Sequence, residues 1–418
     1  MNPRLFARLA TLMFLQFFVW GAWYTMIAVY MANHGMSALT HWPYTVNPLA
    51  AVIAPFFVGF IADRYFATEK VLAILHLTGG AVMAMVPSAT GHPSLFIVLL
   101  LAYNMCYMPT LALSSALVMR HLRNPEREFP KIRVFGTLGW IVSGVLISYG
   151  LGHFLTDSLP EQSALPLYAV AAVGFALGLY SLTLPATAPE GRRQVISLRS
   201  IVGLDALHEL GSPSFMLFLA SSLVICIPLA AYYNFTQLFL ASAGFSHIAG
   251  VQTLGQVSEV GFMLIMPLLF ARLGVKWMLV IGMGAWGVRY LLFSLGAAGG
   301  VTSAIVAGIL LHGVCYDFFF VTGQIYVDRH ASPAIRGQAQ ALFVLLTYGV
   351  GMLLGAQIGG MVYSHFLGTQ ATLTASQFST FWLLPAALAG MVMIVFGAFF
   401  HDRTGSPGSP EENPSSRR

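Results

Sequence analysis

Three ionisable side chains stand inside runs of apolar residues. They are Glu259 in "GQVSEVGFMLIM", Arg289 in "GAWGVRYLLF" and Asp317 in "GVCYDFFFVTG". A charge in hydrocarbon costs about 3 kcal/mol or more, so such residues are rare and usually functional. If Arg289 pairs with one acid, the other has no fixed partner, and burial favours its neutral form. The set indicates an acid that takes up and releases a proton; the alternative is a closed salt bridge that only locks helices together.

Polar residues recur at helical spacing around both acids. Gln252, Gln256 and Glu259 stand at i, i+4 and i+7, which places them on one helix face. His312 and Tyr316 stand at i and i+4, immediately before the second acid. Two polar faces therefore accompany the ionisable groups.

Two more mixed faces combine amides with aromatic rings. Tyr233 and Gln237 share a face in "AAYYNFTQLF", and Gln16, Trp20 and Trp23 share one in "FLQFFVWGAWY". Amides bind hydroxyls and ring heteroatoms, and aromatic faces stack on planar rings. We expect these faces to line a common cavity for a small, uncharged, polar molecule with an aromatic part. Tight packing or an interfacial aromatic belt is the alternative for the rings.

The elements that carry these residues are membrane helices. Of the 418 residues, 57% are hydrophobic and 8% are charged, against about 25% charged in soluble domains. Apolar runs of about 20 residues are long enough to cross a hydrocarbon core of about 30 Å. The sequence predicts an all-α integral membrane protein with twelve such helices. Their approximate spans are 9–33, 39–62, 71–88, 95–118, 133–155, 165–185, 214–241, 247–271, 277–296, 301–326, 338–364 and 377–400.

A polar segment divides the spans six and six. We expect an N-terminal six-helix bundle over 1–185, a cytoplasmic central loop over 186–213 and a C-terminal six-helix bundle over 214–402. The remaining residues, 403–418, are rich in Pro, Gly, Ser and charge, which predicts a disordered cytoplasmic tail.

Cations are distributed unevenly along this topology. With the N-terminus inside, 19 of the 20 Lys and Arg residues fall on cytoplasmic segments, and Arg289 is the exception. Short cytoplasmic loops concentrate Lys and Arg, so both termini are predicted to be cytoplasmic. The net charge of +5 then reflects membrane topology and not nucleic-acid binding. Since the chain shows no nucleotide-binding, metal-ligating or catalytic pattern, we expect no cofactor, no metal and no enzymatic activity.

Several stretches together resemble the nucleoside:proton symporters of the major facilitator superfamily. They include "FVWGAW", "YMPTLAL", "FPKIRVFGTLGW", "GLDAL", "GQVSEVGFMLIMPLLF", "HGVCYDFFFVTG" and "SPAIRGQAQ". The resemblance implies a major facilitator fold, alternating access about a central site, and uptake driven by a proton gradient across a bacterial inner membrane. A monomer bound only to substrate, protons and lipid is expected.

The resemblance also implies where the site lies. The family's nucleoside and proton site falls on Arg133, Gln256, Glu259, Tyr316 and Asp317. An interfacial role is the alternative for Arg133, because it stands near a cytoplasmic helix end.

The chain departs from the family at two places. Ala230 and Tyr233 stand where characterised permeases place amides, and His312 stands where a Tyr is usual. The predicted substrate is therefore a nucleoside or a nucleoside-like glycoside. An efflux pump or a facilitator for another small polar or aromatic solute is the alternative function.

Overall fold

A computed structural model describes residues 2–64, 66–151, 159–188, 204–332 and 335–401. The regular elements in these ranges are helices. In the N-terminal half they are α1 Pro3–Tyr24, α2 Ile27–Asn33, α3 Trp42–Arg64, α4 Thr68–Met85, α5 Pro93–Arg120, α6 Pro125–Val145 and α7 Leu165–Ser181. In the remainder they are α8 Leu204–Glu209, α9 Pro213–Ser242, α10 Ile248–Gly299, α11 Thr302–Leu310, α12 His312–Tyr316, α13 Thr322–His330, α14 Arg336–Val344, α15 Met352–Leu367 and α16 Ala375–Phe399.

Helix starts follow from local sequence. Four of the long helices begin at a proline, which has no N–H to leave unsatisfied in the first turn. These are Pro3, Pro93, Pro125 and Pro213. At α16, the Thr374 hydroxyl accepts from the Gln377 N–H at 3.3 Å, while the Gln377 side chain accepts from the Thr374 N–H at 2.9 Å. This reciprocal capping box fixes the start of the last long helix.

Nine helical stretches are long and apolar enough to cross a membrane, by length and composition within the described residues. A shorter apolar helix, Leu165–Ser181, accompanies them. The prediction of an all-helical membrane protein is confirmed, whereas the described helices do not match the twelve predicted spans one to one. Residues 189–203 of the predicted central loop and the predicted tail 403–418 lie outside the described residues.

The first predicted span is not one continuous helix. Instead of running through 9–33, the chain breaks at Thr25 and Met26, between α1 and α2. A helix break frees backbone groups that the apolar pattern alone does not reveal, and each needs a partner. The Tyr44 hydroxyl donates to the Tyr24 carbonyl at 2.8 Å, and further partners come from the other half of the chain.

The eighth and ninth predicted spans are two helices that meet at a kink within α10, Ile248–Gly299. Helix α10 has 52 residues and bends at Gly274, where φ is 69°. At 1.5 Å per residue its length is about 78 Å, more than twice the roughly 30 Å hydrocarbon core. A separate loop was expected between 271 and 277, but a single glycine in the left-handed region makes the turn without one.

The tenth and eleventh predicted spans are also interrupted. Wider π-helical turns occupy Asp317–Val321 and Leu345–Gly351, between the α-helical segments on either side. Inserted π turns change which side chains face a neighbouring helix and are frequent at functional sites. Both segments border the cavity described next.

Candidate functional site

A cavity of about 410 Å³ lies between the two halves. This volume falls within the range of about 300–1,000 Å³ that small-molecule sites occupy. The lining residues are Phe17, Trp20, Tyr24, Asn47, Pro48, Ala51, Met108, Leu111, Ser115, Arg133, Thr137, Trp140, Tyr233, Gln256, Glu259, His312, Tyr316, Val344, Tyr348 and Met352. Both halves therefore form its walls.

Most of the residues singled out in the sequence meet in this cavity. Seven of them are in its lining: Trp20, Arg133, Tyr233, Gln256, Glu259, His312 and Tyr316. Three others, Gln237, Arg289 and Asp317, are fully buried but are not among the lining residues. The contacts of these three residues differ from those expected from the sequence.

Gln237 forms hydrogen bonds with backbone groups at the break in the first span, between α1 and α2. The Ala28 N–H donates to Gln237 Oε1 at 3.0 Å, and Gln237 Nε2 donates to the Tyr24 carbonyl at 3.4 Å and to the Tyr44 hydroxyl. Gln252 donates to the Thr25 carbonyl at 3.0 Å. These two amides were expected on cavity faces; they instead satisfy backbone groups that the break leaves open.

Arg289 does not contact either carboxylate directly. Its Nη2 lies 3.2 Å from His312 Nδ1, and His312 Nε2 lies 3.8 Å from Glu259 Oε2. The expected direct pair of Arg289 with an acid is thus replaced by a chain through an imidazole. The guanidinium also lies over the Tyr232 ring, with Cζ 4.2 Å from the centroid.

This chain fixes the tautomer of the imidazole. An arginine N–H can only donate, so His312 Nδ1 must accept and carries no proton. The neutral ring then holds its proton on Nε2, which faces Glu259. The N–H of His312 therefore points toward the carboxylate, at a distance of 3.8 Å that is longer than a direct hydrogen bond.

A glycine lets the helices that carry this chain approach closely. A Cβ added at Gly313 would lie 2.7 Å from the Glu259 backbone nitrogen and 2.7 Å from the Ser258 carbonyl oxygen. The Gly313 N–H donates to Ser258 Oγ at 3.0 Å. Any side chain at this position would separate α12 from α10, and His312 would move away from Glu259 with it.

Asp317 stands behind the cavity wall. It is fully buried, and within the described part of the chain neither carboxylate oxygen has a hydrogen-bond partner. Its neighbour Tyr316 does line the cavity, and the Tyr348 hydroxyl donates to the Tyr316 hydroxyl at 2.6 Å. The buried acid therefore directly follows a cavity tyrosine in the chain, at the point where the π-helical turn begins.

Aromatic rings form much of the opposite wall. Trp20 and Trp140 pack edge to face with centroids 5.4 Å apart, and Tyr24 approaches Tyr233 across the halves at 5.6 Å. Arg133 Cζ lies 4.0 Å from the centroid of the Phe17 ring. Arg133 thus contributes to the cavity itself, where a guanidinium and aromatic faces are available together.

The structure also corrects which residues of the seventh span are available. Ala230 is fully buried and is absent from the cavity lining; a Cβ at Gly355 would lie 2.6 Å from its Cβ. Tyr233 alone, of the two positions noted in the sequence, reaches the cavity. Lining residues that the sequence reasoning did not single out include Asn47 and Trp140. An asparagine within an apolar run is a signal of the same kind as Glu259, only weaker.

The fold and this central cavity define a membrane transporter of the major facilitator type. The "Nucleoside H+ symporter" family profile matches residues 3–405, and the chain belongs to that family. The "Putative nucleoside transporter YegT" of Escherichia coli (strain K12) is 36% identical, with 95% of this chain and 94% of YegT covered. Nucleoside permease NupG of the same strain is 31% identical, with 96% of each chain covered.

A solved structure agrees with this assignment. The crystal structure of the nucleoside transporter NupG superposes with a TM-score of 0.83 at 30% identity, covering 96% of this chain and all of that one. The resemblance seen in the sequence is confirmed, and so is the prediction of a transporter and not an enzyme.

Proposed function

We propose that the protein imports a nucleoside or a nucleoside-like glycoside together with a proton. Family membership supports the class of activity. The observation that carries the mechanism is the chain from Arg289 through His312 to Glu259, because it ends at the wall of the cavity. The Glu259 side chain keeps 15% of its surface exposed there, so a proton and a substrate can both reach it.

Coupling follows from this placement. When Glu259 is ionised, two groups of the same cavity offset its charge: the guanidinium of Arg133 and the N–H of His312 Nε2, 3.8 Å away. When Glu259 is protonated, it can donate to a substrate acceptor, and the cavity is no longer anionic. Asp317 is the second acid whose charge can change, since no described side chain compensates it. The proposal assigns proton carriage to this pair and leaves the choice between them to experiment.

Alternating access requires contacts that form in one state and break in the other. Bonds between the halves join Thr25 to Gln252 at 3.0 Å and Thr45 to Gln357 at 2.7 Å. Glu161 Oε1 accepts from the Ala249 N–H at 3.2 Å. These residues adjoin the connections that the cation distribution assigns to the periplasm. The described conformation is therefore closed on the periplasmic side.

The proposed topology has twelve membrane helices in two bundles, 1–185 and 214–402. It counts α10 as two crossings because of its length and its bend at Gly274, and it includes α3 and the shorter α7. Both termini then face the cytoplasm of a bacterial inner membrane, and the transporter works as a monomer. A reporter fused within 366–376 should read out in the periplasm and one within 190–205 in the cytoplasm; reversed signals would overturn this topology.

Uptake in cells without their own nucleoside permeases tests the activity. A panel of labelled nucleosides and sugars is offered with and without a protonophore. Accumulation of at least one nucleoside above its external concentration, abolished by the protonophore, is expected. Uptake that only equilibrates would identify a facilitator, and lowered cellular content would identify an efflux pump; either result contradicts proton symport.

A further inference from the structure

Two buried asparagines from neighbouring helices form a pair with a fixed orientation. Asn104 Nδ2 donates to the Leu100 carbonyl at 2.8 Å. Because a carbonyl only accepts, this bond determines which end of the Asn104 amide is nitrogen. Asn104 Oδ1 is then the acceptor for Asn47 Nδ2, also at 2.8 Å. The two bonds fix the Asn47 amide as well, with its oxygen directed away from Asn104.

The Asn47 side chain stands at the cavity wall. It is only 6% exposed, and it lines the cavity beside Pro48, Ala51 and Met108. No described residue donates a hydrogen bond to Asn47 Oδ1. Since Asn47 lines the cavity and its oxygen receives no hydrogen bond from the described protein, this oxygen is available to accept one from a ligand.

We propose that Asn47 is a substrate-binding residue that accepts a hydrogen bond from a hydroxyl or N–H group of the transported nucleoside. Asn104 is the positioning residue that holds the Asn47 amide in that orientation. The inference rests on the proposed function and adds to it a polar contact from the N-terminal half, opposite Gln256 and Glu259 on the other half. The substrate is then bound by polar groups from both halves, as a carrier that closes around its substrate requires.

The proposal makes one donor of the substrate critical. A nucleoside analogue that lacks this donor would leave the Asn47 oxygen buried and unpaired, which weakens binding by about 5- to 100-fold. If the asparagine pair only connects α3 to α5, as polar residues between membrane helices often do, Asn47 accepts no hydrogen bond from any substrate donor.

The experiment measures equilibrium binding of a transported nucleoside and its single-donor analogues to purified protein. The analogues are the 2′-deoxy, 3′-deoxy and 5′-deoxy forms and a form methylated on a base nitrogen. One of them should bind the wild type about 5- to 100-fold more weakly than the parent. In Asn47→Leu this ratio should fall to about 1, because the parent loses the contact that the analogue never made.

Asn104→Leu is the matched control, because it removes the bond between the asparagines but leaves the Asn47 oxygen in place. It should keep a larger ratio than Asn47→Leu. If Asn47→Leu does not reach the membrane, Asn47→Ser, whose hydroxyl is too short to replace the amide oxygen, should show the same fall.

An unchanged ratio in the Asn47 variant, or an equal fall in both variants, would overturn the assignment and leave the pair as a helix connection. These outcomes differ from failure of the proposed function, in which the wild type itself neither binds nor accumulates any nucleoside.

Discussion

Among the described residues, buried side-chain polar atoms without a hydrogen-bond partner occur in both halves but are more numerous in the C-terminal half. In the N-terminal half, Gln16 Nε2 donates to the Thr110 hydroxyl at 2.7 Å, and His76 Nε2 lies 3.1 Å from Gln16 Oε1. In the C-terminal half, among the residues the structure describes, both oxygens of Asp317 and two nitrogens of Arg289 have no hydrogen-bond partner. Both side-chain polar atoms of Asn234 also have no hydrogen-bond partner among the described residues.

The difference indicates a division of labour. A buried polar group without a partner costs about 1–3 kcal/mol, so a concentration of such groups needs an explanation. The hydrogen-bonded network of Gln16, His76 and Thr110 in the N-terminal half holds its helices in one arrangement. The C-terminal half contains the groups whose charge or partner can change, which is the property that proton coupling requires.

The largest expected effect comes from separating the helices that meet at Glu259. Gly313→Val places a branched side chain against the Ser258 carbonyl, only 2.7 Å from the position of the new Cβ. We expect loss of both accumulation and substrate exchange. The measurements are uptake and counterflow in vesicles, corrected for the amount of transporter in the membrane.

Gly390→Ala is the control for that change, because a Cβ there meets nothing within 4 Å. It should transport as the wild type does. Normal counterflow by Gly313→Val would show that close helix contact at this point is not needed for transport. It would contradict the assignment of proton coupling to this part of the C-terminal half.

A smaller effect is expected from truncating cavity residues of the C-terminal half. Gln256→Ala and Tyr316→Ala each remove one hydrogen bond or one stacking contact, so the Kd for substrate should rise about 5- to 100-fold. Binding to purified protein checks this. If both variants bind as the wild type does, these residues only pack the wall.

Substitutions of His312, which lies between Arg289 and Glu259, separate a hydrogen-bonding role of the imidazole from a packing role. His312→Phe removes both hydrogen-bonding nitrogens, whereas Gln in its place can still accept from Arg289 and donate to Glu259. We expect the pH at which transport is half-maximal to shift in His312→Phe and to return toward the wild-type value in His312→Gln. Identical pH profiles in both variants would show that the ring has only a packing role.

The smallest functional effect is expected in the N-terminal half. Gln16→Leu leaves His76 and Thr110 without their partner, so the thermal midpoint should fall by an amount that corresponds to about 1–3 kcal/mol. The pH profile of transport should not change, because no group of this network carries the coupled proton. A changed profile would contradict the division between the halves.

Much of the fold follows from the sequence, because each membrane helix leaves a long apolar run. The breaks do not. Nothing in the composition of 9–33 predicts the interruption at Thr25, because the backbone groups at the break are satisfied by distant side chains: Tyr44 of the same half and Gln237 and Gln252 of the other. The turn at Gly274 was visible only as the gap between the predicted spans 247–271 and 277–296.

The sequence predicted which residues form the site better than it predicted the contacts among them. Their position inside apolar runs singled out Glu259, Arg289 and Asp317, and helical spacing added His312. The order of contacts was not accessible, because charge counting favours a direct ion pair and cannot see that His312 lies between Arg289 and Glu259. Asn47 was missed because an uncharged amide hardly disturbs an apolar run, and its partner Asn104 is 57 residues away.

The central claim is that protonation of an acid in the C-terminal half and substrate binding are linked. A carrier that binds both in one state obeys reciprocity, so protonation tightens substrate binding, and affinity falls as pH rises and the acid ionises. A typical coupling predicts a fall of about 5- to 150-fold. The decisive measurement is the substrate Kd as a function of pH for the wild type, Glu259→Gln and Asp317→Asn. The account predicts that one of the two variants binds substrate with an affinity independent of pH and still exchanges it by counterflow, but no longer accumulates it in a pH gradient. Wild-type pH dependence in both variants would contradict the account.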